Sequence, residues 1–519
     1  MAVYNDHPLL KTDYPDADVI RVGEIYYMVS TTMYFMPGCE ILRSYDLAHW
    51  EHAAYVYERL DSTPAQRLEG EENIYGQGMW AASLRYHNGT FYIVFVANDT
   101  HKTYLYQSER IEGPWEKHEI EGFYHDNSVL FDDDGRVYIV YGNREVHLTE
   151  LKADLSGPKE GGIDKVIVRD RDDSYLGYEG SHIYKINGKY YVFFINIPRD
   201  TGRRTESCFV ADCIDGEYTG GKVMDDDMGY FGSGVAQGGI VDTPDGKWYA
   251  ILFQDSGAVG RIPVLMPVHW KEDSDLPVFG EDGVIPSEFE VPDGKPGYVY
   301  EPLTGSDDFK DPAAGKERFT DSFGFKSRWQ FSHEPDLALV EHDKSAGSVR
   351  ITTDKISKNL MQAKNTLTQR CLYPGCAAEV TVDGSSLKEG DYAGLCLLES
   401  AYALIAVTRR NGKLQLVMVN RTTPEGIWGE RHDTEPGTEQ AVAELSGDQI
   451  TFRAEAEFYR KKDTAQMFYV EDGQKKPLGP ASELVFKLDH FTGVRFGLFV
   501  YSTKETGGSA AFTDFVYEV

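Results

Sequence analysis

Asp16, Asp126 and Glu179 sit in three short segments: Tyr14-Pro15-Asp16-Ala17-Asp18, Asp126-Asn127-Ser128-Val129 and Tyr178-Glu179-Gly180-Ser181-His182. Each carboxylate lies 11 or 12 residues before a Tyr that follows a Gly-containing turn, at Tyr27, Tyr138 and Tyr191. The same count back from Tyr92 and Tyr249 reaches Trp80 and Gln237. Three acids, an indole and an amide at one offset predict one shared cavity. Acid–base cleavage of a glycosidic bond needs this set. One carboxylic acid protonates the leaving oxygen, while a carboxylate opposite activates water across a gap of about 6.5–9.5 Å in the inverting mode. A third carboxylate near the acid raises its pKa by like-charge repulsion. An indole offers a sugar ring a flat apolar platform. Singly, each residue has a plainer reading: Asp16 as a turn cap, Asp126 as an Asx turn, Glu179 as a solvated acid, Trp80 as core. Their equivalence favours the functional one.

The elements that must position these residues are a repeat. A Gly turn followed by an aromatic or β-branched pair ending in Tyr occurs at Gly23–Tyr27, Gly89–Tyr92, Gly135–Tyr138, Gly188–Tyr191 and Gly246–Tyr249. Asn-Gly and Asp-Gly are hairpin signals, since a type I′ turn needs positive φ at both central residues. The Tyr positions are 65, 46, 53 and 58 residues apart, near the length of a four-stranded propeller blade with loop insertions. The pattern predicts an all-β chain opening with a five-bladed β-propeller. A two-sheet sandwich would not supply five similar units. With the innermost strand first in each blade, the five offset positions converge at one end of the axis.

Composition narrows the partners. The chain has 519 residues, 41% hydrophobic, with 33 Tyr, 26 Phe and 51 Gly, a mixture that favours strands and turns. A formal charge of −32 repels phosphate backbones and anionic membranes, so neither nucleic acid nor a membrane is expected as partner. No apolar run approaches the ~20 residues of a membrane span. The six cysteines form no CxxC and read as reduced thiols. The first twenty residues show no basic stretch followed by an apolar one, so a cytoplasmic location is expected.

At these motifs the sequence resembles family 43 of the glycoside hydrolases, the β-xylosidases and α-L-arabinofuranosidases, over nearly its whole length. His7-Pro8-Leu9-Leu10 with Tyr14-Pro15-Asp16-Ala17-Asp18 is similar to the stretch bearing the general base, which implies Asp16 in that role. Asp126-Asn127-Ser128-Val129-Leu130 resembles the stretch with the pKa-modulating Asp, and Tyr178-Glu179-Gly180-Ser181-His182 the general-acid motif. Met79-Trp80-Ala81-Ala82 resembles the platform segment, and Arg261 the Arg that contacts substrate hydroxyls; Phe35 lies where the family often places an aromatic beside the terminal sugar. Two positions depart: Ala17 replaces a Pro, and Gln237 stands where many members carry a His that serves a central ion. A Gln amide binds a hard cation more weakly than a charged ligand, so a water-filled axis is expected, with Gln237 counted among the substrate-binding residues.

The pattern changes after residue 302. Residues 303–317 are rich in Gly, Pro and Asp and read as a linker, and residues 318–519 alternate like a β-sandwich (jelly roll). Arg328-Trp329-Gln330-Phe331 and Gly390-Asp391-Tyr392-Ala393-Gly394 resemble the concanavalin-like sandwich of family 43 xylosidases. The resemblance implies a structural Ca²⁺ held by Asp321 and Asp514, with no cofactor required for the chemistry. The expected activity is inverting, exo-acting release of xylose or arabinose from xylo-oligosaccharides or arabinoxylan fragments. The alternatives are a non-catalytic sugar-binding propeller and a retaining fructan-type enzyme. The latter lacks its expected Asn-Asp-Pro-Asn and Glu-Cys signals here.

Overall fold

A computed structural model describes residues 2–170, 173–230, 232–310, 323–422, 435–459 and 462–519. Five antiparallel four-stranded sheets form, each from consecutive strands. Their first strands are Asp18–Val22, Met79–His87, Ser128–Phe131, Ser174–Ile186 and Val235–Asp242. Each touches the first strand of the next blade, and the fifth touches the first, so they ring a common axis. The five-bladed propeller expected from the repeat is present.

Burial explains the apolar runs. Each blade packs on both neighbours, so its strands are buried on both faces and read as continuous hydrophobics rather than alternating ones. Phe91-Tyr92-Ile93-Val94-Phe95 shows this: Ile93 and Phe95 pack with Ile41 and Tyr57 of blade one, while Val94 packs with Val129 and Ile139 of blade three. The other blade interfaces are built alike, and the last joins Tyr249, Ile251 and Leu265 to Tyr26, Met28 and Leu42. Among the described residues, each blade is built from consecutive strands, with no strand exchanged to close the ring. Ala2–Tyr4 pairs with Phe289–Val291, and Gly239 N–H donates to Ala17 O at 2.9 Å.

The hairpin turns are of three kinds, not one. Asn88-Gly89 and Asn187-Gly188 both carry positive φ at both residues, the I′ geometry expected. At Gly23 only the first loop residue is left-handed. At Asp134-Gly135 and Asp245-Gly246 only the Gly is. There the loop is one residue longer, closed by Asp132 N–H to Arg136 O and Thr243 N–H to Lys247 O, so the Asp stays right-handed.

Arg85, on the inner strand of blade two, crosses the axis and lines a cavity there together with Val19, Leu130, Ile183 and Ile240 of the other inner strands. Its Nη1 donates to Asp18 Oδ2 at 2.6 Å, its Nε to Val129 O at 2.6 Å and its Nη2 to Ser128 Oγ at 2.6 Å. One guanidinium thereby spans inner strands of blades one to three. Asp18 is fully buried and also meets Leu84 N–H and His182 Nδ1.

The second domain is the expected sandwich. One sheet runs through Thr438–Glu444, Lys413–Asn420, Ala403–Arg410, Asp391–Leu398, Arg495–Ser502, Leu367–Arg370 and Gln330–Ser332. It ends on Phe35–Met36, a strand of the propeller domain. The facing sheet centres on Ser509–Glu518, Gly375–Asp383 and Gln449–Glu457. Trp329, Val380, Ile405, Phe452, Leu498 and Phe512 lie in the core between them. Part of the stretch read as linker already belongs here: Asp307 exchanges backbone hydrogen bonds with Phe515, and Phe309 is buried in the core. Asp321 lies outside the described residues, and Asp514 is exposed at a left-handed position of the last strand. Among the described residues, no helix is long and apolar enough to cross a membrane.

Candidate active site

The five offset positions share a backbone feature. A left-handed residue occurs in every blade at this point: Asp16 (φ 55°), Ala81 (27°), Asp126 (49°), Gly180 (66°) and Gln237 (57°). In blades two, four and five the ladder register slips there, a β-bulge. Bulges bend the strand and re-aim side chains. Here they turn Trp80, Glu179 and Gln237 out of the strict alternation that would send them into the interblade cores, while Asp16 and Asp126 stand on left-handed residues just before their strands begin.

Two groups of side chains form around the axis. On one side Asp16 accepts from Arg261 Nη1 at 3.0 Å and from Thr31 Oγ1 at 2.7 Å. Thr31 Oγ1 in turn accepts from Ala81 N–H, which ties blade one to blade two. Arg261 is nearly fully buried, its backbone N–H bonded to Asp13 Oδ1 at 2.7 Å. On the other side stand Asp126, Glu179 and His125. His125 Nε2 lies 3.7 Å from Asp126 Oδ2 and 3.8 Å from Glu179 Oε2. Asn143 Nδ2 donates to Glu179 Oε2. Burial pushes the Asp126 carboxyl up to about 6; Glu179 and Asp16 add to this, while the His125 and Arg261 charges oppose it. The neighbouring Asp126 charge, with Glu179 and Asp16, lifts His125 to about 9 despite its burial.

The walls come from both domains. Trp80 is half-buried, with His125 on one side at a centroid distance of 6.1 Å and Phe491 on the other at 5.5 Å. Phe491 belongs to the sandwich domain, and its ring lies 4.2 Å from the Arg261 guanidinium. Asp13 holds this wall in place by accepting from Gly493 N–H at 2.9 Å.

Comparison with known proteins agrees with this geometry. The family model "Glycosyl hydrolases family 43" matches residues 5–275, and "Beta xylosidase C-terminal Concanavalin A-like domain" matches residues 316–518. The chain belongs to glycoside hydrolase family 43. A "Beta-xylosidase" of Formosa agariphila is 25% identical over 99% of this chain and 90% of its own length. A "Non-reducing end alpha-L-arabinofuranosidase" of Bacteroides ovatus is 24% identical, with 86% and 84% covered. Among solved structures, a bifunctional GH43-CE protein of Bacteroides eggerthii superposes with a TM-score of 0.88 at 41% identity, covering 99% of this chain. The chain spans only 63% of that protein.

Within this family 43 site, Asp16, Asp126, Glu179, Trp80 and Arg261 are brought to the one funnel expected. Gln237 is buried at the same level. Its side chain packs against Gly180, where a Cβ would fall 2.6 Å from it, and its backbone N–H donates to Glu206 Oε2 at 2.8 Å. Phe35 is placed elsewhere. It is fully buried as the edge strand of the sandwich sheet, with the Arg495 guanidinium 3.4 Å from its ring centroid, and presents no surface to the funnel. Sheet completion explains this: the exposed edge at Gln330–Ser332 needs a partner strand, and Phe35–Met36 supplies it.

Several site residues were missed in the sequence. His125 adjoins Asp126 and could have been noticed by that adjacency. Thr31, Asn143 and Arg204 carry no motif; Arg204 lies near enough to Glu179 and Asp16 to feel both charges and is bonded to Asp255 at 2.6 Å. Phe491 comes from another domain, 230 residues after Arg261 in the chain.

Proposed function

We propose that this family 43 glycoside hydrolase is an inverting, exo-acting β-xylosidase that also accepts α-L-arabinofuranosides. The observation that carries the reading is the division of the carboxylates. Asp16 is held by Arg261 and Thr31 on one side of the funnel, and Glu179 with Asp126 on the other. Hydrolysis needs this polarity: a base aimed at water on one face of the sugar and a proton donor at the leaving oxygen on the other. Glu179 is the donor, oriented by Asn143 and His125. Asp126, one of the most deeply set of the group, adds negative potential beside the donor. Asp16 is the base, its oxygens oriented by two donors. Trp80 and Phe491, in edge contact at a centroid distance of 5.5 Å, join into one aromatic wall drawn from both domains, a surface suited to the face of one terminal sugar. Xylopyranose and arabinofuranose present similarly placed hydroxyls, and curated relatives bear both activities in their names.

The test is direct. Purified protein on xylobiose should release xylose, and proton NMR in the first minutes should show the inverted anomer accumulating before mutarotation. First appearance of the retained anomer would overturn the inverting assignment. Absence of turnover on both xylosides and arabinofuranosides would favour a sugar-binding propeller instead.

A further inference from the structure

The His125 cluster supports a second chemistry. His125, Asp126 and Glu179 each offer one ligand atom, and these atoms all lie within 4.8 Å of one another; His125 Nε2 is 3.7 Å from Asp126 Oδ2 and 3.8 Å from Glu179 Oε2. A tetrahedral zinc ion with bonds of about 2.0–2.1 Å sets its ligand atoms roughly 3.4 Å apart. The His125 contacts need close by only a few tenths of an ångström to reach that spacing, and the two carboxylates, which lie within 4.8 Å of each other, by side-chain rotation of up to about 1.4 Å. One imidazole and two carboxylates are a donor set for a borderline ion. Calcium and magnesium instead take six or more oxygens. All three side chains keep some solvent exposure at the funnel, 26% for His125 and 18% for Glu179, so an ion has a way in and a fourth position is left open. Asn143 N–H uses one lone pair of Glu179 Oε2 and leaves the other free, an outer-shell bond that fixes the ligand.

We propose that His125, Asp126 and Glu179 form a binding site for one Zn²⁺ per chain, and that its occupancy switches the hydrolase off. The geometry alone carries the binding; the inhibition rests on Glu179 as proton donor, since an oxygen bound to zinc cannot deliver that proton. The ion also occupies space between Trp80 and the acid side, so it competes with substrate.

The experiment is calorimetric titration of zinc chloride into the full chain after chelator treatment and buffer exchange, beside initial rates on an aryl xyloside. One saturable site is expected, with affinity reduced at least tenfold in His125→Phe, and no matching heat from magnesium chloride. Asp126→Asn serves as a second binding variant should His125→Phe fold poorly, and is expected to weaken zinc in the same way. Zinc should raise the apparent KM without lowering kcat, and EDTA should restore the rate. Equal zinc affinity in both variants and wild type, or no stoichiometric binding, overturns the site. Zinc binding that depends on His125 and Asp126 but leaves the rate unchanged overturns the switch. Binding without hydrolysis of any pentoside would sustain the metal site while removing the glycosidase reading.

Discussion

Replacing Glu206 by Gln should stabilise the protein, by an amount that grows with pH. Glu206 lies on Thr205–Ala211 and is fully buried. Its Oε2 accepts from Gln237 N–H, and its Oε1 has no hydrogen-bond partner among the described residues. Burial raises its carboxyl from 4.5 to about 8, with the Gln237 bond opposing. The sign follows from proton counts. Between those two values the unfolded chain has lost the proton that the folded chain still holds, so stability falls as pH rises, by about 1.4 kcal/mol per unit. Below pH 4.5 both states are protonated, and above about 8 both are ionised, so the slope vanishes at either end. The accumulated penalty is about 0.7 kcal/mol at pH 5 and about 4 kcal/mol at pH 7.5, to order of magnitude. Gln has the same shape, carries no charge and still accepts from Gln237, so the variant escapes the penalty. At about 2 °C per kcal/mol for a domain of this size, its advantage in Tm should be about 1 °C at pH 5 and roughly 8 °C at pH 7.5. Scanning calorimetry of both proteins at the two pH values measures it. An equal Tm difference at both pH values would refute the reasoning, because Glu206 would then be ionised in the folded protein.

Three other perturbations test different parts. Glu179→Gln should lower turnover of xylobiose by roughly 10²–10⁴-fold, with binding nearly intact by calorimetry, since only the proton donor is lost; near-normal turnover removes Glu179 from that role. Phe491→Ala should raise KM about tenfold with kcat less affected, as the sandwich wall and a cation–π contact worth about 1–2 kcal/mol are lost; an unchanged KM would show that the second domain does not line the pocket. Arg85→Met leaves Asp18 buried without its guanidinium partner, with His182 Nδ1 and Leu84 N–H as its remaining contacts, and should cost about 3–5 kcal/mol by calorimetry. A loss under about 1 kcal/mol would mean that Asp18 takes up a proton cheaply there.

Legibility in the sequence followed burial. Blades buried on both faces must be written as apolar runs between Gly turns, so the five units could be counted from residues such as Phe91–Phe95 alone. The site ring was legible because one backbone position recurs, and a fixed offset finds Asp16, Trp80, Asp126, Glu179 and Gln237 together. What the offset does not encode is what fills space between units. Arg85 crosses the axis through contacts to the inner strands of blades one and three, far apart in sequence, and no local pattern distinguishes it from an exposed Arg. Phe35 sits where an aromatic wall was expected, yet a sheet edge from residues 330–332 claims it. Phe491, which does form a wall, depends on how one domain rests on another. The turn geometry was half legible: Asn accepts the left-handed region and gave I′ turns, whereas the Asp-Gly sites gained a residue and needed only the Gly to be left-handed.

The left-handed ring shows how the site is held. For a residue with a Cβ this conformation costs about 1–2 kcal/mol, and it persists where the surroundings over-determine it. Asp16, Asp126 and Gln237 all meet that condition through bonds to another strand or blade. Asp16 is clamped by Arg261 of blade five, Asp126 O accepts from Ser181 N–H of blade four at 3.2 Å, and Gln237 N–H is bound by Glu206 of blade four. Each of these residues is thus stitched to a neighbouring blade, and Asp16 is also held within its own blade by Thr31. The sandwich domain adds to the stitching: Asp13, three residues before the base, bonds both the Arg261 backbone and Gly493 beside Phe491. Arg370 of the sandwich reaches Glu40 of blade one at 2.8 Å and Asp13 O at 3.1 Å. Asp16, Arg261 and the wall from the second domain are therefore joined by one network of hydrogen bonds. On the proposed reading, the second domain serves the chemistry by bracing that geometry as well as by adding Phe491 to the wall.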